Sequence, residues 1–388
     1  MKVDVYKRKQ TFLNWKERVQ KEGIPGLSKA NESIVIQYVL DMELGRNVGN
    51  GAAKGGRSYT RLCNLAQRMT WIARMLESRG VSDLRDCKEQ VVVTLFSEME
   101  RGIIRREDGK AYRSHGDYVR VFKAFWHWWM KVNRKEGKSI LDITEDISAP
   151  RTKPLFVNIS KGHLDKMLPY FSDDEQVILY FVFDSLIRAP TEILSLQVQH
   201  IYEQDGEVWL TIPDEVSKTF GRTMNLLYCG QAVLDYIHRR GLSPTDHLFS
   251  FDPRLLNKKL QAVAVQLFGN VRSHAQGEFF SSLTLYDFRH SGAVHLRIFA
   301  KENPGLISLD AIRHRGGWTD FSMVNYYTQF LGIDGKIEKQ GMLLQQDKHK
   351  LEREVDTLKQ ELAALKEMNA KILQMAQKGL VTMQPLFG

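Results

Sequence analysis

Cysteine is nearly absent from this chain: three in 388 residues, Cys63, Cys87 and Cys229, far apart and in no CxxC pair. That speaks against a disulfide-stapled secreted fold and against a cysteine zinc centre, so no metal site is expected. Long apolar runs are missing too. The longest is the seven residues Val177 to Phe183, where a membrane-crossing helix needs about 20. The first twenty residues are polar and hold no signal-type apolar stretch. Residues 45–58, "GRNVGNGAAKGGRS", carry five glycines but no GxGxxG or Walker-type spacing, so they read as a mobile cationic loop without a nucleotide site. These absences leave a soluble, cytoplasmic protein, long enough for two domains with a core each.

What is present in excess is positive charge, and it is localised. From Lys54 to Arg79 there are six basic residues and one acidic; from Arg101 to Lys138 there are eleven and four. Those balances, +5 and +7, exceed the whole-chain charge of +9, so the remainder is net negative by about 3. Basic charge gathered in one region and interleaved with Tyr, Trp and Phe suits a phosphate-tracking surface better than a merely solvated helical face. Nucleic acid is the expected partner, with Lys54, Arg57, Arg61, Arg68, Arg113, Arg120 and Lys123 as candidate contacts.

Periodicity organises the rest. After an N-terminal segment, 1–30, that ends in the "GIPG" break, residues 33–44 read as a helix. Residues 59–80 put Leu62, Leu65, Met69, Ile72 and Leu76 on one helical face. Residues 118–132 bury Phe122, Phe125 and Trp129 and leave Lys123 and Lys131 outside the stripe, while Trp126 and Trp128 read as core rather than base-stacking platforms. Residues 31–146 are therefore a helical module with basic outer faces. "ISAPRTKP" supplies a linker, 147–155, and a second domain follows over 156–335. It has helices near 161–171 and 174–186, short strands at 208–212 and 223–227, and helical patterns after Gln231.

The tail, 340–378, repeats every seven residues: Leu344, Leu351, Leu358, Leu365 and Ile372 at d, with Val355, Leu362 and Asn369 at a. Glu354 and Glu361 then fall at g and Lys359 and Lys366 at e, an arrangement that satisfies a parallel dimer and sets acids against each other in an antiparallel one. Asn369 at an a position favours a dimer in fixed register. The alternative is an amphipathic helix folded back on its own domain.

A DNA-gripping module beside a mixed domain directs attention to phosphoryl transfer. Without a metal or other cofactor, cleaving a phosphodiester needs a nucleophile, cations for the pentavalent phosphorus and an acid for the leaving oxygen. Candidates come in order: Arg188 in "LIRAPTEILSL", Lys218 in "VSKTFGRTMNLL", Arg289 in "TLYDFRHSGAVHL", Trp318 or His314 in "RHRGGWTD", and a tyrosine in "NYYTQF".

In these five pieces and their order the chain resembles the tyrosine recombinases of the phage-integrase type, with an archaeal-like arrangement, over residues 30 to 330 or so. The resemblance implies a mainly α fold: a helical, SAM-like core-binding domain, then a helical catalytic domain with a small antiparallel sheet, here followed by the coiled-coil helix. In that family an arginine opens a helix, a lysine sits in a hairpin turn, an HxxR motif starts a helix, and GH or GW precedes the nucleophile by a fixed interval. Tyr327 stands nine residues after Trp318 and is followed by Thr328, so the match selects Tyr327 and leaves Tyr326 as a packing neighbour. Two positions depart. Tyr286 occupies the usual histidine position three before Arg289, and Glu192 follows Arg188 by four residues where the family's acid follows by three, which calls for a bulge at Pro190.

The roles implied are a clamp from Arg188 and Arg289 on the non-bridging oxygens, protonation of the 5′ oxygen by Lys218, a phosphate hydrogen bond from Tyr286 and packing by Trp318. His290 reads as a structural helix residue, and His314 as a phosphate or packing contact. The function implied is site-specific DNA recombination through a 3′-phosphotyrosyl link, without metal or ATP, by a dimer that assembles into a tetramer on recombining sites in the nucleoid. A type IB topoisomerase-like relaxase and a non-catalytic DNA-binding regulator of the same fold are the rivals.

Overall fold

The computed structural model describes residues 3–48, 55–149, 155–274, 277–329, 355, 357–371 and 373. The chain divides into two compact units, Met1–Pro154 and Leu155–Gly388.

Unit 1 is helical: α1 (Arg8–Glu22), α2 (Lys29–Leu44), α3 (Tyr59–Glu77), α4 (Glu89–Glu100) and α5 (His115–Lys135). Ser28 and Ser58 cap α2 and α3, their hydroxyls accepting from the Asn31 and Arg61 amides at 3.2 and 3.4 Å. The five apolar residues expected on one face of α3 are all buried. In α5 the tryptophans Trp126 and Trp128 are core residues, and each indole finds an acceptor, the Leu141 carbonyl and Asp41 Oδ2, both at 2.9 Å. Tyr38 of α2 meets Phe125 edge-on at 5.4 Å. Asn31, fully buried, donates to Glu77 and the Val81 carbonyl and accepts from the Leu84 amide, which fastens α2 to the segment leaving α3.

Unit 2 contains α6 (Lys161–Met167), α7 (Asp173–Ser185), the strands β1 (Ile201–Gln204), β2 (Glu207–Ile212) and β3 (Arg222–Asn225), then α8 (Gly230–Arg240), α9 (Pro253–Phe268), α10 (Leu285–Glu302), α11 (Leu309–Gly316) and α12 (Ser322–Gln329). The strands form an antiparallel meander in which Leu210 of β2 faces Ile201 and Met224. The described residues are thus mainly helical with one small antiparallel sheet. α7 and α10 pack closely because Gly292 has no side chain: a Cβ there would lie 2.0 Å from the Phe183 carbonyl oxygen. A capping box of Thr284 and Asp287 starts α10, and Asp287 and Ser291 accept from the Val157 and Ile159 amides, holding the segment that enters unit 2.

One expected helix is shorter and another is absent. Pro169 turns residues 168–170 into a 3₁₀ turn, so α6 stops at Met167. The helix expected to open at Arg188 is absent: α7 ends at Leu186 in the left-handed region (φ 53°), and a turn leads to a 3₁₀ helix over Ile193–Ser195. Pro190 gives the reason, since it donates no hydrogen bond and keeps Ala189 out of helical geometry. In the tail, residues 355, 357–371 and 373 are helical, with Val355, Leu358, Leu362 and Leu365 exposed; Leu344, Leu351, Glu354 and Ile372 of the heptad pattern lie outside the described residues. No helix among the described residues is long and apolar enough to cross a membrane.

Candidate active site and nucleic-acid surface

The turn after α7 brings Glu192 back onto Arg188. The Glu192 amide donates to the Arg188 carbonyl at 2.9 Å, and the Ala189–Pro190 peptide within this turn is cis. The Glu192 carboxylate then accepts from the Arg188 amide at 3.0 Å, from the Arg188 guanidinium at 2.6 Å and from Arg222 at 2.9 Å. It is fully buried, as is the Arg222 side chain but for 1%. Burial alone would raise the Glu192 pKa; the Arg222 and Arg188 charges overcome it and bring the value down to about 2.

The end of α11 supplies the opposite pole. Its last carbonyls have no partner within the helix and carry the negative end of its dipole. Three arginines take them: Arg222 Nε donates to the Arg315 carbonyl at 2.9 Å, Arg289 Nη2 to that of Gly316 at 2.6 Å, and Arg188 Nη2 to that of Gly317 at 3.0 Å. Gly317 holds the left-handed conformation (φ 59°) that turns the chain there, and Trp318 follows, 7% exposed, with the Arg289 guanidinium 5.3 Å from its ring centroid. Two guanidinia thus share one carboxylate, and a third, that of Arg289, is held by backbone carbonyls beside them. Such a cluster attracts an anion.

Arg289 is 1% exposed. It donates to the Leu186 and Gly316 carbonyls, and its Nε has no hydrogen-bond partner among the described residues. Burial lowers its pKa to about 10, which leaves it protonated at neutral pH. Arg188 keeps 13% of its side chain exposed. Arg188 thus reaches the surface, whereas Arg289 is covered.

Lys218 lies in the turn between β2 and β3, exposed, and its backbone amide donates to Glu192 at 3.4 Å. Thr219 beside it donates to the Gly317 carbonyl at 2.9 Å. Tyr286, 38% exposed, stands edge-on to His290 at 4.8 Å. His290 is buried against Phe156, and burial with the adjacent Arg289 charge pulls its pKa down to about 3, so it stays neutral. His314 is exposed, its Nε2 3.1 Å from the Thr223 carbonyl. Tyr326 and Tyr327 both fall within α12, which packs on α10 and α11 through the buried Val324; their side chains lie outside the described residues.

Sequence reasoning passed over Arg222, Arg315 and Asp184. Arg222 shares the inward positions of β3 with Met224, and a cation on the core-facing side of a strand was the available signal. Arg315, also buried, bonds Asp184 at 2.9 Å and the Asn225 carbonyl at 2.6 Å, joining α11 to α7 and β3.

In unit 1 the cations are distributed differently. Arg113 and Arg120 line an open groove of about 750 Å³ together with Arg105 and Arg106, next to Trp71, Tyr112 and Tyr118. Asp117 bridges Arg68 and Arg120 at 2.8 and 2.5 Å, and Arg68 also lies over the Tyr118 ring. Arg57 and Arg61 are half-buried at the start of α3, and Lys54 lies outside the described residues. Lys123 is not a surface cation: its ammonium donates to the Thr144 and Ile147 carbonyls at 2.7 and 3.0 Å. Lys131 likewise donates to the Val48 carbonyl at 2.7 Å. Long aliphatic stems let these lysines reach carbonyls of neighbouring loops, which helical periodicity does not reveal.

No protein-family model matches the chain, and no curated protein matches it in sequence. Solved structures do. XerH site-specific recombinase bound to palindromic difH substrate, in its post-cleavage complex, aligns at TM-score 0.53 and 15% identity over 87% of this chain and 95% of that one. A lambda integrase dimer bound to a COC′ core site aligns at 0.52 and 12% over 83% and 87%. The Tn1549 transposon integrase with circular intermediate DNA aligns at 0.50 and 12% over 76% and 93%. At this identity the likeness is one of fold, and the fold is that of tyrosine recombinases.

Proposed function

We propose that this chain is a site-specific DNA recombinase that cuts and rejoins duplex DNA through Tyr327. The observation that carries the reading is the arginine cluster around Glu192, tied to the three carbonyls that immediately precede Trp318, nine residues before Tyr327. Arg188 and Arg289 clamp the non-bridging oxygens as charge builds on phosphorus. The Tyr327 oxygen bonds to phosphorus while the P–O5′ bond breaks; the 5′ oxygen takes a proton from the Lys218 ammonium, and the phenol proton leaves to water. Attack by a 5′ hydroxyl then reverses the step on a new strand, so bond energy is kept and neither ATP nor a metal is called on. Tyr286 donates to a phosphate oxygen but, being neutral, cannot replace the charge of an imidazolium.

The groove of unit 1, lined by four arginines with Glu107, Asp108 and Asp117, holds the duplex, and the tail, 340–378, pairs in parallel with that of a second copy, two dimers meeting on recombining sites. The exposed apolar positions Val355, Leu358, Leu362 and Leu365 support such pairing. A second reading, a DNA-binding regulator without cleavage, draws on the burial of Arg289 and the tyrosine at 286. A relaxase of the topoisomerase IB kind shares the chemistry and differs in acting as a monomer on any duplex.

Duplex carrying a nick beside the target traps the covalent adduct. Wild type and Tyr326→Phe are expected to form it without metal and Tyr327→Phe is not. Adduct lost only in Tyr326→Phe moves the nucleophile by one residue, and no adduct from wild type favours the regulator.

A further inference from the structure

The hairpin turn that carries Lys218 is exposed, yet it is held at four points, one of them a bond within the turn itself. Lys218 donates its amide to Glu192 at 3.4 Å, Thr219 its hydroxyl to the Gly317 carbonyl at 2.9 Å, and Gly221 its amide to Asp214 at 2.6 Å. The fourth tether is Arg222, at the foot of the turn. Its guanidinium spans three segments: Ser217 Oγ within the turn at 3.4 Å, Glu192 at 2.9 Å, and the Arg315 carbonyl at the end of α11 at 2.9 Å. The packing is tight enough that a Cβ on Gly317 would lie 2.9 Å from Arg222 Nη1. A planar cation with five N–H groups can hold three acceptors at once in fixed directions, and a lysine cannot.

We infer that Arg222 is a positioning residue that sets the Lys218 turn against the Arg188–Glu192 pair, and so places the Lys218 ammonium for proton transfer to the leaving oxygen. Arg222 itself, sealed beneath the turn, does not touch DNA. The inference rests on the proposed recombinase reading, in which Lys218 protonates the 5′ oxygen. It separates Arg222 from Arg188 and Arg289: those act on the phosphate, and Arg222 acts through the lysine.

The two kinds of role respond differently to the leaving group. A sulfur in place of the bridging 5′ oxygen departs as a thiolate without needing a proton, so it bypasses whatever places Lys218 and bypasses nothing that the phosphate clamp supplies. Single-turnover adduct formation is measured on the oxygen and the 5′-bridging sulfur substrates for the full chain, Lys218→Ala, Arg222→Lys, Thr219→Val and Arg188→Ala. Arg222→Lys is expected to lose at least tenfold on oxygen and less than twofold on sulfur, in parallel with Lys218→Ala. Thr219→Val, which removes another tether of the same turn at an exposed position, shows the same pattern more weakly, severalfold on oxygen only. Arg188→Ala loses rate on both. Equal loss on both substrates for Arg222→Lys, or no loss on either, overturns the inference. If thermal melts show Arg222→Lys unfolded, Thr219→Val decides by the same criterion. Failure of wild type on both substrates instead sinks the recombinase reading, and failure of sulfur to rescue Lys218→Ala removes the acid role of Lys218.

Discussion

Asp117 and Glu192 each hold a pair of arginines, and they differ in how far solvent reaches them. Asp117 in unit 1 bridges Arg68 and Arg120 with side chains 36%, 20% and 53% exposed. Glu192 in unit 2 bridges Arg188 and Arg222 with side chains 0%, 13% and 1% exposed. The contacts are equally short, so geometry does not distinguish them. Solvent does. Around Asp117 water and salt screen the attraction, the bridge contributes little to stability, and its arginines can turn to phosphates at small cost. Around Glu192 the charges are held in place, because separating any one of them leaves a buried ion without a partner. The first arrangement suits a surface that grips DNA, and the second a frame that fixes cations before a phosphate arrives.

The sharpest break in that comparison comes from changing the buried frame. Arg289→Lys, which cannot reach both the Leu186 and Gly316 carbonyls as a planar fork, is expected to lower covalent adduct formation by about 10²–10³-fold while gel-shift affinity for duplex DNA stays within about threefold. A parallel loss of affinity would mean the buried arginines also grip.

Glu192→Gln leaves Arg188 and Arg222 without their counter-ion and should cost about 3–5 kcal/mol in urea unfolding. Because the folded pKa of Glu192 is depressed, its contribution is present above the unfolded value of about 4.3 and is lost as pH falls toward about 2. The gap between wild type and variant should narrow over that window, and a gap that does not change with pH would contradict the ionised pair.

Lys123→Met tests a cation expected at the surface and found tethered. With the Thr144 and Ile147 carbonyls deprived of their donor, a loss of about 1–3 kcal/mol is expected, with DNA affinity changed less than about twofold. Asp117→Asn should have the smallest effect on folding, under about 1 kcal/mol, and the opposite effect on binding. Affinity rises, and the logarithmic salt dependence steepens by up to about 0.9 for each added phosphate contact. Weaker binding would show that Asp117 orients its arginines and does not merely compete for them.

Much of the fold was legible because it follows from local patterns. The α3 stripe from Leu62 to Leu76 repeats at helical spacing, and the strand expected at 208–212 is found as Glu207–Ile212. In the site, the residues alone offered Arg188, Lys218, Arg289, Trp318 or His314 and one of two adjacent tyrosines in order, and the choice of Trp318 and Tyr327 came from the family resemblance. Arg222 and Arg315 could not be ranked among many arginines, since their partners stand 30 and 131 residues away. Lys123 was misjudged for the same reason: its acceptors lie 21 and 24 residues on.

The sequence by itself determined the elements with a short period: helices, strand pieces, the heptads of the tail, and a basic first half. Their causes lie in side chains a few residues apart, and a linear reading contains them. Only the tertiary structure decided which cations are buried. Whether an arginine faces water or is held by a carbonyl at the end of a distant helix depends on how α7, β3, α10 and α11 pack. Each of those contacts joins residues brought together by burial of the surrounding apolar surface, not by their spacing along the chain.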